Sequence, residues 1–312
     1  MTTYAFVFPG QGSQTVGMLD GWGDHAVVRQ TLAEASDALG EDLGALIRTG
    51  PKEALDLTTN TQPVMLAASV ACYRAWLAEG GAAPSMGAGH SLGEYSALVA
   101  AGALSLADAV PLVRFRAQAM QDAVPVGAGA MAAVLGLDGE AVHAACEAAQ
   151  AQTGQTVSAA NYNDPKQVVI SGSKAAVDRA CELVKAAGAK RALPLAVSAP
   201  FHCALMRPAA ERLRERLAAV RLRTPDFPVV NNIDVAVQTE PNAIREALYR
   251  QAFGPVRWVE TVHALRARGA SHVVECGPGK VLAGLAKRID AEVVALNLFD
   301  SASLADVKGQ LA

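Results

Sequence analysis

The sequence is poor in cysteine, and its cysteines form no metal-binding pattern. They lie at positions 72, 146, 181, 203 and 276, and no two of them have the C-x-x-C spacing of a zinc or redox site. The pattern therefore excludes a zinc site and a disulfide framework, and it favours free thiols in a reducing cytoplasm. We expect a cytoplasmic protein that binds no metal ion.

The sequence also lacks an excess of charge and any long apolar run. Its net charge of −3 gives none of the basic character that nucleic-acid binding favours. The longest apolar stretch, residues 64–77, is interrupted by Ser69 and Arg74 and is too short to cross a bilayer, so we interpret it as a core helix. The N-terminal residues lack the basic region of a signal peptide. We expect neither nucleic acid nor a membrane as partner, and a monomer is our default expectation.

Hydrophobic residues make up 51% of the 312 residues, enough for one large domain or two unequal ones. Strand-like runs, among them residues 4–8 and 229–233, alternate with helical patterns, which is typical of a mainly parallel sheet covered on both faces. About residues 126–198, which end in a predicted strand at 191–197, follow the order βαββαβ of a ferredoxin-like subdomain. We therefore predict an α/β protein whose large domain comprises residues 1–125 and 199–312, with residues 126–198 inserted.

One helix boundary is predicted in detail. Ser105 and Asp108 resemble a capping box, which predicts that a helix begins there and runs to about Val124. Pro111 lies inside this pattern, so we expect either a kink at that residue or a later start of the helix.

The motif Gly89-His90-Ser91-Leu92-Gly93 is the strongest functional signal. It matches the G-x-S-x-G pattern, in which a serine stands at a tight strand-to-helix turn with its hydroxyl exposed. A Cβ at either flanking position would collide with neighbouring backbone, so the turn favours glycine there. A helix that begins at Ser91 would direct its free N–H groups at charge developing near the serine. We interpret Ser91 as a candidate nucleophile and expect the His90 side chain to point away from it and to serve packing.

A serine nucleophile needs a general base, and His202 is the best placed of the 6 histidines. It follows the last predicted strand of the insert, where the chain returns to the large domain. Loops at domain boundaries are frequent places for catalytic groups, although an ordinary surface-loop histidine fits the position equally well. The neighbouring Cys203 lacks the strand-to-helix turn of Ser91, which disfavours a cysteine mechanism.

Two further segments leave alternatives open. The turn FPGQG at residues 8–12 fits a backbone N–H donor for an oxyanion, and it also fits an ordinary tight turn. A phosphate loop is disfavoured because no Walker lysine is present.

Arg114 and Arg116 lie on different sides of one predicted helix. An arginine directed at the serine would bind a carboxylate through two hydrogen bonds, whereas most helix arginines are solvated.

Six segments together resemble motifs of the malonyl-CoA:acyl carrier protein transacylases of fatty acid synthesis. They are FPGQGSQ at 8–14, GHSLGEY at 89–95, APFH at 199–202, YRQ at 249–251, PVRW at 255–258 and ECGPG at 275–279. The segments follow the family's order and cover nearly the whole chain. The resemblance implies the family's fold, a hydrolase-like α/β domain with an inserted ferredoxin-like subdomain.

The resemblance also implies how the reaction would proceed. Ser91 would carry the acyl group, and His202 would be its base, oriented by the main-chain carbonyl of Gln251. Backbone N–H groups of Gln11 and Leu92 would form the oxyanion hole. Malonyl-CoA and the phosphopantetheine thiol of an acyl carrier protein would be the substrates, and no cofactor is expected.

Three residues would determine which acyl group is bound. Arg116 would bind the malonyl carboxylate and so exclude acetyl. Asn163 matches a family position near the pocket, with Asn161 as the alternative. Phe201 would favour malonyl over methylmalonyl, because its phenyl ring would leave no room for a methyl branch.

Acyl carrier proteins are acidic, so a near-neutral enzyme would need a local basic patch to attract one. Lys190 and Arg191 lie on the predicted insert, and Lys287 and Arg288 lie at the end of a late predicted helix. We predict that both pairs flank the mouth of the active-site cleft. Ordinary solvated charges are an equally good interpretation.

Three other functions compete with malonyl transfer to fatty acid synthesis. A serine esterase or thioesterase would share the turn around Ser91, but such enzymes often carry an HGGG-type loop, which this sequence lacks. A catalytically silent docking protein would have no need of intact Ser91, His202, Arg116 and Gln11. A trans-acting transferase of polyketide synthesis, or the transacylase of a malonate decarboxylase, would share the chemistry and differ in the carrier.

Overall fold

Strands and helices alternate along the chain, as predicted. A computed structural model describes residues 3–311, so the predicted domain limits at residues 1 and 312 lie outside the described residues. The first elements are β1 (Tyr4–Phe8), α1 (Ala26–Leu39), α2 (Leu43–Thr49), α3 (Lys52–Leu55), α4 (Thr58–Ala78), β2 (Met86–Gly89), α5 (Gly93–Ala100) and α6 (Leu106–Asp122). The middle elements are β3 (Gly129–Leu135), α7 (Gly139–Thr153), β4 (Val157–Asp164), β5 (Gln167–Ser173), α8 (Lys174–Ala186) and β6 (Arg191–Pro194). The last are α9 (Arg207–Ala219), β7 (Val229–Val230), α10 (Pro241–Gln251), α11 (Trp258–Ala267), β8 (His272–Cys276), α12 (Val281–Ile289), β9 (Val294–Leu298) and α13 (Ser301–Leu311).

Five strands form a parallel sheet in the order β7-β2-β1-β8-β9. Every residue of β1 is buried, as expected for a central strand that is covered on both faces. The prediction of a mainly parallel sheet is therefore confirmed. Phe8 and Gly89 are register partners at the carboxyl ends of β1 and β2. The segments that follow both strands thus meet at the edge where parallel sheets usually bind ligands.

A separate antiparallel sheet has the strand order β4-β5-β3-β6. Its strands and the helices α7 and α8 follow one another in the order βαββαβ. The helices pack on one face, where Val134 and Ile170 belong to a hydrophobic core distinct from that of the parallel sheet. The opposite face carries Met131 and Val169, which pack against Phe201. This face therefore turns toward the segment that contains His202.

Backbone hydrogen bonds join the antiparallel sheet to the rest of the chain. The N–H of Val256 donates to the carbonyl of Ala160 at 2.8 Å, and the N–H of Tyr162 donates to the carbonyl of Val256 at 2.9 Å. Together they form a parallel bridge between β4 and the segment before α11. This bridge fixes the position of β4 relative to the loop that follows α10.

The apolar stretch at residues 64–77 lies within α4, which has 21 residues and buries most of them. The interpretation of this stretch as a core helix is confirmed. Among the described residues, no helix is long and apolar enough to cross a membrane.

Three predicted boundaries can be compared with the structure. β7 has only 2 residues and not the span 229–233, because the N–H of Asn232 donates to a side chain, Glu94 Oε2, at 2.9 Å. β6 ends at Pro194 and not at residue 197, because the chain turns there and the N–H of Val197 donates to the Leu195 carbonyl. α6 begins directly after Ser105, which accepts a hydrogen bond from the N–H of Asp108. The alternative of a later start at Pro111 was therefore wrong.

Candidate active site

Ser91 stands at a sharp turn between β2 and α5. Its φ of 52° lies in the left-handed region, which is uncommon for a residue other than glycine and stores strain. A Cβ on Gly89 would lie 1.9 Å from the backbone of Gly93, and a Cβ on Gly93 would lie 2.0 Å from the carbonyl oxygen of Phe8. The predicted need for glycine at both flanking positions is confirmed. The helix begins at Gly93 and not at Ser91.

The Ser91 hydroxyl lies 2.6 Å from Nε2 of His202. Nδ1 of this histidine lies 3.0 Å from the carbonyl oxygen of Gln251 and 3.2 Å from that of Gly254. Because a carbonyl oxygen only accepts, Nδ1 carries the proton, and Nε2 is left to accept the serine proton. The Gln251 carbonyl thus lies where the resemblance implies, whereas the carbonyl of Gly254 was not predicted.

The environment of His202 keeps its imidazole neutral. The residue is buried. Like Ser91, it is a non-glycine residue with a left-handed backbone, at a φ of 58°. Burial and, to a smaller extent, the positive charge of Arg116 lower the pKa of His202 to about 3, although the carbonyl groups at its Nδ1 oppose the shift. A neutral imidazole at physiological pH is able to take a proton from a serine hydroxyl.

The guanidinium of Arg116 reaches the same hydroxyl from the other side. One terminal nitrogen lies 3.1 Å from Ser91 Oγ and 3.1 Å from Gln251 Oε1, and the other lies 2.8 Å from Gln62 Oε1. The side chain is buried, at 2% exposure, yet its hydrogen-bond partners here are neutral. A buried charge with neutral partners is well suited to binding a carboxylate from a ligand.

Arg114 and Arg116 point to different sides of α6, as predicted. Arg114 pairs with Glu41 at 2.7 Å, with 23% of its side chain exposed. Arg116, in contrast, is directed at Ser91. Arg114 therefore takes no part in the site and provides a matched control for substitutions of Arg116.

Ser91, His202 and Arg116 line one cavity of about 510 Å³. The residues predicted for the oxyanion hole and for acyl-group binding line it too, namely Gln11, Leu92, Asn161, Asn163 and Phe201. Gln251 lies behind the cavity wall and is fully buried. The cavity also brings together the antiparallel sheet, through Met131 and Val169, and the parallel sheet, through the segments after β1 and β2.

His90 also lines the cavity. Its ring packs against Trp258, with ring centroids 5.4 Å apart, so the predicted packing role is confirmed. Its Nε2 in addition lies 2.8 Å from Oδ1 of Asn163, a contact that was not predicted. Asn161 and Asn163 both line the cavity, and this hydrogen bond distinguishes them, because it ties Asn163 to the nucleophile turn.

The two N–H groups that the resemblance assigns to an oxyanion hole belong to residues on opposite loops. Leu92 directly precedes α5, and Gln11 lies in the loop after β1. Within residues 3–311, neither N–H donates to a protein acceptor. The loop of Gln11 is held by side chains, since Gln11 Nε2 donates to Thr58 Oγ1 at 3.2 Å and the N–H of Gly12 donates to Gln14 Oε1 at 2.7 Å. Both N–H groups thus remain free for a substrate oxygen.

The predicted basic residues lie outside the cavity lining. Lys190 and Arg191 are exposed at the start of β6, and the segment that continues this strand, residues 195–197, lines the cavity. Lys287 and Arg288 are exposed near the end of α12. Arg288 also binds Asp164 at the end of β4, with Nε and Oδ2 2.7 Å apart. Among the described residues, Arg288 therefore has an ion-pair partner that Lys190, Arg191 and Lys287 lack.

A buried polar network behind Ser91 was not predicted. Asn232 Oδ1 accepts a hydrogen bond from the N–H of Ser91 at 2.7 Å, and its Nδ2 donates to the carbonyl of Gly89 at 2.7 Å. Glu94 is also buried and binds both Asn232 and Gln251. Its place in the motif GHSLGEY, as the one charged residue of α5, was the sequence signal that could have identified it.

The arrangement combines a serine, a neutral base and a buried arginine, which together suit acyl transfer from a carboxylate-bearing donor. In the described part of the chain, no group of three or more His, Cys, Asp or Glu side chains is placed to hold a metal ion.

Comparisons with known proteins point to one family. The protein-family model described as acyl transferase domain matches residues 5–294 of this chain. The malonyl CoA-acyl carrier protein transacylase of Escherichia coli K12 is 56% identical over 306 residues, which cover 98% of each chain. The enzyme of the same name from Bacillus subtilis is 46% identical over 301 residues, 96% of this chain and 94% of the relative.

Solved structures show the same similarity. The acyl-carrier-protein S-malonyltransferase of Burkholderia pseudomallei has a TM-score of 0.96 and 63% identity, covering 98% of this chain and 99% of that chain. A malonyl-transacylase solved in complex with a type II PKS acyl-carrier protein has a TM-score of 0.97 and 52% identity, covering 99% of this chain and 100% of that chain.

Proposed function

The chain belongs to the acyl transferase domain family, and we propose that it transfers a malonyl group from malonyl-CoA to the phosphopantetheine thiol of an acyl carrier protein. One observation carries the proposal: Ser91 Oγ lies within hydrogen-bond distance of both a neutral base, His202, and a buried arginine, Arg116. The serine and histidine suit acyl transfer, and the arginine suits an acyl group that bears a carboxylate. The relatives named for malonyl transfer support the same function.

The first half-reaction forms an ester on the enzyme. Ser91 Oγ attacks the thioester carbon while His202 Nε2 accepts the hydroxyl proton. Negative charge develops on the thioester oxygen, where the N–H groups of Gln11 and Leu92 stabilise it, and each such donor contributes about 2.7–4 kcal/mol. The C–S bond then breaks, and His202 returns its proton to the CoA sulfur. The products are CoA and malonyl-Ser91.

The second half-reaction reverses these steps with a different thiol. The phosphopantetheine thiol of the carrier gives its proton to His202, and its sulfur attacks the ester carbon. The C–O bond breaks, and Ser91 recovers its proton from His202. Arg116 holds the malonyl carboxylate during both steps. Acetyl would leave this buried guanidinium without an anionic partner, which is unfavourable and so selects for malonyl.

The pathway follows from the carrier that the enzyme serves. We propose that the carrier belongs to fatty acid synthesis, where malonyl supplies the extender units. Polyketide synthesis is the second candidate, because one similar structure is a complex with a type II PKS acyl-carrier protein. A comparison of kcat/KM for the two kinds of carrier tests the assignment, and a clear preference for the polyketide carrier would contradict it.

The observed topology supports a more detailed description of the fold. We propose that residues 126–198 are an inserted ferredoxin-like subdomain, since β4-β5-β3-β6 with both helices on one face is the arrangement expected of that motif. The remaining residues would form the hydrolase-like domain.

We further propose that the protein acts in the cytoplasm as a monomer without a resident cofactor. A dimer in sedimentation velocity, or a chromophore that purifies with the protein, would contradict the corresponding part.

A carrier-loading experiment tests the proposed function. The protein is incubated with malonyl-CoA and holo acyl carrier protein, and the intact mass of the carrier is measured, with acetyl-CoA as the matched donor. We expect a malonyl adduct on the carrier and little acetyl adduct. Release of free malonate with no loaded carrier would indicate a thioesterase. No consumption of malonyl-CoA would indicate a docking protein.

Phe201 provides a prediction about branched substrates. The ring lines the cavity and packs against Met131 and Val169, so it occupies space that a methyl branch at C2 would need. We expect Phe201→Ser to raise kcat/KM for methylmalonyl-CoA relative to malonyl-CoA by about tenfold, the effect of about one methyl group. The ratio is measured with both donors on one carrier. Equal use of both donors by the wild-type protein would show that Phe201 does not restrict the site.

The basic residues provide a prediction about carrier docking. We propose that Lys190, Arg191, Lys287 and Arg288 attract the acidic carrier. Charge reversal is limited to the first three, because Arg288 also holds β4 through an ion pair. The triple variant should raise KM for the carrier by about tenfold and leave KM for malonyl-CoA unchanged. The control is Arg48→Glu, which reverses an exposed charge in the last turn of α2, outside the proposed patch. Unchanged carrier kinetics in the triple variant would exclude this docking surface.

A further inference from the structure

Glu94 is a buried acid in the first turn of α5, 2% exposed. Its Oε2 accepts a hydrogen bond from the Gln251 side chain, Nε2, at 2.9 Å and another from the backbone N–H of Asn232 at 2.9 Å. Burial raises the pKa of this carboxyl to about 7, against the opposing effect of these hydrogen bonds and of Arg116. Burying a carboxyl group is unfavourable, so the position of Glu94 in the interior requires an explanation.

Gln251 connects Glu94 to Ser91, His202 and Arg116. Its main-chain carbonyl accepts from His202 Nδ1 at 3.0 Å, and its Oε1 accepts from Arg116 at 3.1 Å. Its Nε2, which donates to Glu94, also donates to the carbonyl of Ser91 at 3.0 Å. The Gln251 side chain thus contacts Arg116 and the backbone of Ser91, and its main chain contacts His202. A displacement of this one residue therefore affects the nucleophile, the base and the arginine together.

Asn232 connects Glu94 to the turn itself. While its N–H donates to Glu94, its side chain accepts from the N–H of Ser91 and donates to the carbonyl of Gly89, both at 2.7 Å. These bonds hold the backbone on both sides of the turn. A non-glycine residue with left-handed φ, as at Ser91, persists only where its surroundings fix it.

We propose that Glu94 is a positioning residue, which holds Gln251 and Asn232 so that Ser91, His202 and Arg116 keep their reactive geometry. The identity of the substrate in this proposal rests on the proposed function. The positioning role itself rests only on the contacts described above. The carboxylate joins three segments that are distant in sequence, α5, the C-terminal end of α10 and the segment after β7. Through these contacts it acts on the reaction without touching the substrate.

Two substitutions separate the hydrogen-bond acceptor from the charge. Glu94→Leu removes the acceptor and leaves the Asn232 N–H without a partner, whereas Glu94→Gln keeps an oxygen that is able to accept both bonds. We expect Glu94→Leu to lower kcat for malonyl transfer about 100-fold, the effect of a small misplacement of reacting groups, with KM for malonyl-CoA little changed. Glu94→Gln should recover kcat to within about fivefold of the wild type. Equal impairment of both variants would contradict the proposal.

Glu275 provides the matched control for a merely structural effect. It is also fully buried, its Oε2 accepts from the N–H of Ala283 at 2.8 Å near the start of α12, and it does not line the cavity. Glu275→Leu and Glu94→Leu should both lower the unfolding temperature. Only Glu94→Leu should slow the reaction at a temperature where both variants are folded. A comparable loss of kcat in both variants would show that Glu94 acts only through stability.

A second readout keeps the proposal independent of the substrate. Fluorophosphonates react with activated serines, so the rate at which Ser91 is labelled reports its nucleophilicity without malonyl-CoA. We expect labelling to be slowed by Glu94→Leu and restored by Glu94→Gln. This result would support the proposal even if the wild-type protein failed to transfer malonyl. Labelling of Glu94→Leu at the wild-type rate would overturn it.

Discussion

Replacing Ser91 with alanine is expected to lower malonyl transfer to the carrier protein by at least about 10⁴-fold, because the acyl-enzyme then has no oxygen on which to form. The neighbouring thiol provides no substitute. Cys203 is buried, its Sγ donates to the Pro200 carbonyl at 3.2 Å, and burial raises the pKa of the thiol. The rate of malonyl-carrier formation is the measurement.

The matched control for Ser91→Ala is Ser96→Ala. Ser96 lies on the helix that follows the nucleophile turn, and its buried hydroxyl has no hydrogen-bond partner among residues 3–311. Its removal should therefore leave transfer unchanged. If Ser91→Ala kept more than a tenth of the wild-type rate, the carrier thiol would be attacking malonyl-CoA directly, and the two-step mechanism would be wrong.

Replacing Arg116 with alanine is expected to lower kcat/KM for malonyl-CoA by about 10²-fold or more. Hydrogen bonds to a charged group each contribute about 1.5–3 kcal/mol, and 1.36 kcal/mol corresponds to a factor of ten in rate. For acetyl-CoA the same change removes a buried, unmatched charge, so kcat/KM should fall much less or rise. The ratio of the two constants is the decisive quantity, since Arg116 also contacts Ser91 and Gln251.

Arg114→Ala controls for the loss of a positive charge from α6. Arg114 pairs with Glu41 on the far side of the helix. The kcat/KM values for malonyl-CoA and for acetyl-CoA should therefore stay close to those of the wild type. If Arg116→Ala left the malonyl-to-acetyl ratio unchanged, the carboxylate would be bound elsewhere, and the assignment of Arg116 to substrate selection would fail.

Local sequence patterns were sufficient to predict the nucleophile turn and the main architecture. The glycines beside Ser91 act through steric contacts with the next few residues and with β1, and a five-residue pattern encodes these contacts. The parallel sheet was predicted from strand-like runs that alternate with helical patterns, and the continuous apolar run of β1 is indeed fully buried. The boundary at β7 was wrong because a single backbone N–H, that of Asn232, bonds to a side chain and not to a strand.

The remainder of the site depends on contacts between distant parts of the chain. Gly254 contributes only a carbonyl to His202, which no side-chain pattern reveals. Glu94 meets Gln251 across a separation of 157 residues, so its burial becomes visible only when α5 and α10 are placed together. Of two arginines on one helix, periodicity indicated that they diverge but not that Arg116 would be the one directed at Ser91.

The most direct test of the account is the site at which malonyl is attached before the carrier is present. Wild-type protein is mixed with malonyl-CoA, quenched in acid within the first turnover, and analysed by intact mass and peptide mapping. The mechanism predicts one malonyl group per chain, esterified to Ser91, which moves to the carrier thiol when holo acyl carrier protein is added. A carrier that becomes loaded although Ser91 never carries malonyl, or malonyl attached to a different residue, would contradict it.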